Sequence, residues 1–437
     1  MLVIGGIIGA GIFLNPAVVA QRAPTAGLTI GVWVLGGAVA LAGAFVFAEL
    51  GALKPEAGGG YVYLRDALGP PVGFLYGWTQ LLVINSGGIA AVAMTFANYT
   101  TDLTGAADGA VAPVAVGAIV VLSGINLLGI KPGAIVQNVF TVLKLAALAA
   151  LIVLGLFWPT SSAASVPAAA SAAPAVSVAF FLTAIGTALI PVLFAYGGWQ
   201  STNFVAAEMR EPRRDLPRAL IMGVAAVVTV YVLANIVYVK TLGVDGLAAS
   251  SAPASDVMRR LFGEGGARFI AVGIAISTFG FLNLAILSAP RVYQAMAADG
   301  VFFGRAAKLH DRYRVPATAL LIQSAWAILL VSTKTYGQLL DYVVFGDWIF
   351  FGLVGVTLFV YRRRQAGELG VGSGTRGFRS PWYPWLPAFF VAAAAFALVS
   401  TVASNPANAA LGGAIIAAGV PAYLWWRRTA PPTNLST

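Results

Sequence analysis

The sequence predicts an all-α integral membrane protein of twelve transmembrane helices. They divide into two halves of five, each headed by a broken helix, followed by two C-terminal helices. Three observations carry this prediction. The 437 residues are 59% hydrophobic and only 10% charged, with a mean hydropathy of +0.86, whereas soluble domains carry about 25% charged residues. Twelve apolar runs approach or exceed the length of about 20 residues that a hydrocarbon core requires. Two of them, the first and the sixth, are interrupted by glycine.

The runs lie at 1–20, 27–50, 72–101, 112–129, 134–157, 179–207, 218–242, 267–298, 316–333, 339–361, 383–403 and 408–426. The first reads MLVIGGIIGAGIFLNP, with Gly5, Gly6, Gly9 and Gly11 in an otherwise apolar stretch. A glycine break bares backbone N–H and C=O groups inside hydrocarbon, so it persists only where protein, ion or solute covers it. The third run is small or apolar around Ile84, Ser86, Gly87 and Gly88. The fifth contains Lys144, the basic residue set farthest from either end of its run. The sixth holds Pro191, Gly197 and Gly198, the last two within FAYGGWQ, Phe194 to Gln200. Breaks at corresponding positions of two halves point to a midplane transport site. The halves are 1–157 and 179–361, with 383–426 forming the final pair.

The connections fit this order. PTSSAASVPAAASAAPAVS is a low-complexity outer loop, and YRRRQAGELGVGSGTRGFRSPWYP is a basic linker. TLGVDGLAASSAPASDVMRRLFGEGG is a long outer loop with a short interfacial helix. With residue 1 inside, 19 of the 26 basic residues fall in inner loops and 6 in outer ones, with Lys144 remaining in its span. That bias places both termini in the cytoplasm and assigns the +10 charge to membrane topology rather than to nucleic acid. Residues 1–20 lack the basic n-region of a cleavable signal. No cysteine is present, which excludes disulfide-linked partners and thiolate sites, and a single histidine, His310, builds no multi-histidine metal centre. No Walker motif, nucleophile–base pair or paired intramembrane carboxylates emerge, so neither an enzyme nor a cofactor is predicted.

Two constellations carry chemistry. If the first helix unwinds at Gly9–Gly11, the second half-helix starts near Ile12 with free amides and a positive dipole end, which suits a carboxylate. The break in FAYGGWQ leaves carbonyls near Phe194, Ala195 and Tyr196, which suit an ammonium. Together they describe an α-amino acid. Asp347, in VFGDWIFF of the tenth run, is an acid within an apolar stretch, where it either favours cationic or polar substrates or faces water near the outer end.

GGIIGAGIFLNP, FAELGALKPEAGGGYVYLRDALG, NVFTVLKLAAL, FAYGGWQSTNFVAAEMREPRRDLPRAL and SAPRVYQAMAADGVFF together resemble the amino acid–polyamine–organocation superfamily. The likeness is closest to bacterial relatives of the L-type amino acid transporters. It implies the LeuT fold, alternating access and amino acid transport in a bacterial-type plasma membrane. The implied substrate contacts are Ile8, Gly9, Ala10, Gly11, Ile12, Phe194, Ala195, Tyr196 and Gly197, with Phe194 as gate and Trp199 flanking it. Lys144 stands where sodium-coupled relatives bind an ion, bridging the unwound part of helix one to a hydroxyl at Ser277 or Thr278. Sodium-independent exchange of neutral amino acids follows, with a proton-coupled amino acid or polyamine permease and a non-transporting sensor as alternatives. Glu49, Glu208, Arg210, Arg213, Arg214 and Asp215 form inner gate or loop ion pairs, or a solvated face. Similar proteins carry a polar tail and a full half-helix ahead of the glycine motif. Only eight residues precede Gly9 here, so either a truncated start or a short inner half of helix one is expected.

Overall fold

In the computed structural model, which describes residues 1–158, 178–333, 336–368 and 377–429, the apolar runs form helices, and no strand occurs among the described residues. In order they are α1 (Leu2–Ile7), α2 (Gly11–Arg22), α3 (Ala26–Leu53), α4 (Gly60–Leu68), α5 (Pro70–Thr79), α6 (Asn85–Thr104), α7 (Val111–Leu127) and α8 (Ile130–Phe157). The second part holds α9 (Val178–Ala195), α10 (Ser201–Phe204), α11 (Pro212–Ala248), α12 (Pro253–Ser288), α13 (Pro290–Ala298), α14 (Ala317–Thr333) and α15 (Tyr336–Glu368). Two helices follow, α16 (Trp385–Ser404) and α17 (Pro406–Thr429). A π-turn, Gln80–Ile84, joins α5 to α6. Among the described residues eight helical stretches are long and apolar enough to cross a membrane, and three shorter apolar helices accompany them. The low-complexity segment 159–177, the middle of the basic linker (369–376) and Lys334 lie outside the described residues.

Some predicted connections are helical. The outer loop at 241–266 is the end of α11, kinked at Gly243, and the start of α12, kinked at Gly263. Both glycines have positive φ, 71° and 65°, which side chains with a Cβ avoid. The stretch after Lys54 forms α4, and the eighth predicted run divides into α12 and α13.

Two prolines explain how the broken helices are held. Pro16 lies inside α2 and has no N–H, so the carbonyl of Ile12 loses its intrahelical donor. The Tyr238 hydroxyl of α11 donates to that oxygen at 3.3 Å. Pro191 does the same inside α9, and Arg22 Nη1 donates to the freed Thr187 carbonyl at 2.6 Å. Asn15 Nδ2 adds a bond of 2.7 Å to the Pro191 carbonyl, so α2 is latched along α9. Around this pair, α3 packs on α11, and α12 packs on both α6 and α8.

Ion pairs join loop ends of the helices. Glu49, 2% exposed, receives Arg362 Nε and Nη2, both at 2.8 Å, and the Ser380 amide at 2.7 Å. Arg65 Nη1 meets Asp299 at 2.6 Å, and the Tyr61 hydroxyl donates to the same carboxylate at 2.6 Å. Burial alone would raise the carboxyl pKa of Asp66, but Arg65 and Lys54 outweigh it and hold that pKa below the usual range. Arg291 reaches Glu208 at 2.9 Å, and Arg214 pairs with Glu211 on the exposed first turn of α11.

Candidate functional site

The first break spans Ile8 to Ala10, between the six-residue α1 and the twelve-residue α2. Ile8 is extended, and Ala10 precedes α2 with no side-chain acceptor for the amides behind it. The first four N–H groups of a helix lack intrahelical partners, so α2 presents donors and a positive dipole end at the break. Lys144 braces the break from behind. Its ammonium, on α8 and fully buried, donates to the Gly5 carbonyl at 3.1 Å and the Ile8 carbonyl at 2.5 Å. The Tyr231 hydroxyl donates to the Ile7 carbonyl at 3.1 Å and is itself hydrogen-bonded by the Gly9 backbone. Backbone groups facing the protein are thereby covered, leaving Ala10, Gly11 and Ile12 to supply the forward donors.

The second break runs from Tyr196 to Gln200, between α9 and α10. Gly198 has φ of 105°, and a Cβ there would sit 1.9 Å from the Gly6 carbonyl oxygen. A Cβ on Gly11 would lie 2.7 Å from the Ala195 Cα. The two breaks therefore touch backbone to backbone, a contact that only glycine permits. Gln200 Oε1 accepts from the Gly198 amide at 2.9 Å and stiffens the turn.

Between the breaks lies a cavity of about 700 Å³ of empty space, its open mouth included. Gly9, Ala10 and Gly11 line one side, and Phe194, Ala195, Gly197 and Gly198 the next. The α6 residues Asn85, Gly88 and Val92, with Ile84 from the π-turn, face Phe281, Leu284 and Ala285 of α12, and Val343 and Asp347 come from α15. The start of α2 and the end of α9 thus border the same cavity.

The description "Amino acid permease" matches residues 1–425 as a family. The chain belongs to the amino acid permease family. It is 32% identical over 425 residues to the serine/threonine exchanger SteT of Bacillus subtilis (strain 168), covering 97% of this chain and 94% of that protein. It is 30% identical over 448 residues to the human large neutral amino acids transporter small subunit 2, covering 98% and 79%. It is 30% identical over 441 residues to the human Asc-type amino acid transporter 1, covering 98% and 81%.

In this permease the predicted contacts divide into two sets. Gly9, Ala10, Gly11, Phe194, Ala195 and Gly197 line the cavity. Ile8 and Ile12 are fully buried and not among the lining residues, and Ile8 contributes its carbonyl to Lys144. Tyr196 turns away, donating to the Trp33 carbonyl at 3.2 Å and packing on Tyr231. Trp199 stacks on Phe351 at 5.5 Å and meets Phe47 edge-on at 4.8 Å, as core packing. Ser277 Oγ is buried without a hydrogen-bond partner, and Thr278 donates to its own helix at Ile274 and Ala275. Neither hydroxyl bonds Lys144. Asn85, Gln200, Ser201 and Phe281 enlarge the predicted set. The polar type of Asn85 and Gln200 next to named motif residues was a usable signal, but Phe281 had none.

Proposed function

We propose that this permease exchanges neutral L-amino acids without sodium, by alternating access in a bacterial-type plasma membrane with both termini cytoplasmic. The observation that carries the reading is the Lys144 ammonium on the carbonyls of the α1 break. It supplies N–H donors at backbone oxygens that would otherwise attract a cation. The substrate carboxylate binds the amides at Ala10–Ile12, and its ammonium binds carbonyls at the end of α9, near Ala195 and Tyr196. Phe194 closes over it. The eight long stretches, the three shorter apolar helices and the α1–α2 pair together support a count of twelve crossings. Contacts of α1 with α10, α2 with α9, and α3 with α11 support a LeuT-type pairing of halves 1–157 and 179–361, followed by 383–426. The serine/threonine specificity named for one relative and the large neutral amino acid specificity named for another favour neutral substrates.

Counterflow in proteoliposomes tests the reading. Internal serine should drive uptake of labelled serine equally in sodium and in choline, and a strict sodium requirement overturns it. A proton-coupled permease is the second reading, favoured by the acid in the cavity, Asp347. Accumulation driven by a pH gradient alone, without internal amino acid, would select it.

A further inference from the structure

One wall of the cavity is not explained by an α-amino acid core. Asp347 is the only ionisable side chain among the described lining residues. Its Oδ1 is buried and has no hydrogen-bond partner, and none of the described ion pairs includes it. It belongs to α15, which packs on α6 and the π-turn rather than forming either break. Its neighbour Gly346 would meet Ile84 at 3.0 Å through an added Cβ. Asp347 therefore occupies the α6–α15 seam, apart from the helix ends that suit the carboxylate and ammonium. The α6 residue Gly88 lines the same space, and nothing lies within 4 Å of where its Cβ would be. Lys144 cannot neutralise Asp347 from within the cavity, because it is fully buried behind α1 and engaged there.

A lone carboxylate in a desolvated site is costly until a donor or cation meets it. A site built around such a group rejects ligands that leave it unpaired. We infer that Asp347 is a specificity-determining residue at the side-chain end of the cavity, selecting amino acids whose side chain ends in a hydrogen-bond donor, an ammonium ahead of a hydroxyl. The inference rests on the exchange reading for its α-group placement and, by ranking an ammonium first, widens that reading's neutral substrate class to basic side chains.

Two readouts separate the inference from the reading it rests on. Thermal stabilisation of the purified full chain measures binding, and counterflow measures transport. The ligands are 2,4-diaminobutyrate, ornithine, serine, alanine and norvaline. The wild type should bind 2,4-diaminobutyrate or ornithine at least about tenfold more tightly than norvaline, the scale of one charged hydrogen bond. Asp347→Asn should weaken 2,4-diaminobutyrate and ornithine far more than alanine or norvaline and so erase that ratio. Asp347→Glu should move the preference toward the shorter diamino acid, a change that a merely structural role does not produce. Equal ratios in the wild type and Asp347→Asn overturn the inference, as does an equal loss of all five ligands in a variant that still melts cooperatively. If Asp347→Asn does not fold, the length shift in Asp347→Glu decides. A donor preference in binding without counterflow leaves the inference standing and removes the exchange reading.

Discussion

Lys144 shows how one residue covers a helix break. Its ammonium satisfies two carbonyls that an unwound helix leaves bare inside the bundle. Lys144→Met keeps much of the volume and removes the donor. Each buried carbonyl left unpaired costs about 1–3 kcal/mol, so exchange should fall by about tenfold or more while the purified protein stays monodisperse. Labelled serine counterflow beside size-exclusion profiles checks this, and unchanged exchange would remove the bracing role. Phe194 is a gentler case. It is half-buried on the cavity wall and its ring makes no close aromatic pair among the described residues. Phe194→Ala should therefore cut turnover severalfold with little change in melting temperature. The sequence made Lys144 legible because a lone cation in an apolar run has few explanations. It did not make the partners of Tyr196 and Trp199 legible. Aromatic type alone does not say which side of a break a ring takes, and here both rings pack into the core.

At the scale of elements, glycine fixes where helices break and proline fixes how the neighbours repair them. Gly198 combines a φ of 105° with a Cβ position 1.9 Å from the Gly6 oxygen. Gly198→Ala forces α10 away from α1 and adds about 1–2 kcal/mol of left-handed strain. It should lower the melting temperature and abolish exchange together. Normal serine counterflow in that variant would show that the two breaks need not touch. The Glu49–Arg362 pair ties α3 to α15 and, through Ser380, to the approach to α16. Arg362→Met leaves a carboxylate of 2% exposure without its cation, a loss of about 3–5 kcal/mol for a buried pair. Thermal unfolding should show it clearly, and the double variant Glu49→Leu with Arg362→Met should recover part of the loss. Glycine and proline made both breaks legible. The π-turn at Gln80–Ile84 and the helix α4 were not, because neither carries a local punctuation different from an ordinary helix or loop.

At the scale of the whole molecule, the charge bias gives a topology that the helix packing alone does not determine. Basic residues gather in loops that the even span count places on one side, 19 against 6, and lysine and arginine near span ends set orientation by resisting translocation. On the proposed topology Asp311, in the basic stretch before α14, is inside, and Glu264, near the kink of α12, is outside. Both are exposed, and the chain contains no cysteine, so a single introduced thiol is unique. In intact cells a membrane-impermeant maleimide should label Glu264→Cys and leave Asp311→Cys unreacted until the membrane is permeabilised. The reverse pattern would invert every loop and put the Glu49–Arg362 and Arg65–Asp299 pairs on the outer face. The cavity reading would survive such an inversion, because the breaks meet backbone to backbone in either orientation. The assignment of those pairs to the inner side would not. Labelling therefore separates what the helix breaks determine from what the loop charges determine.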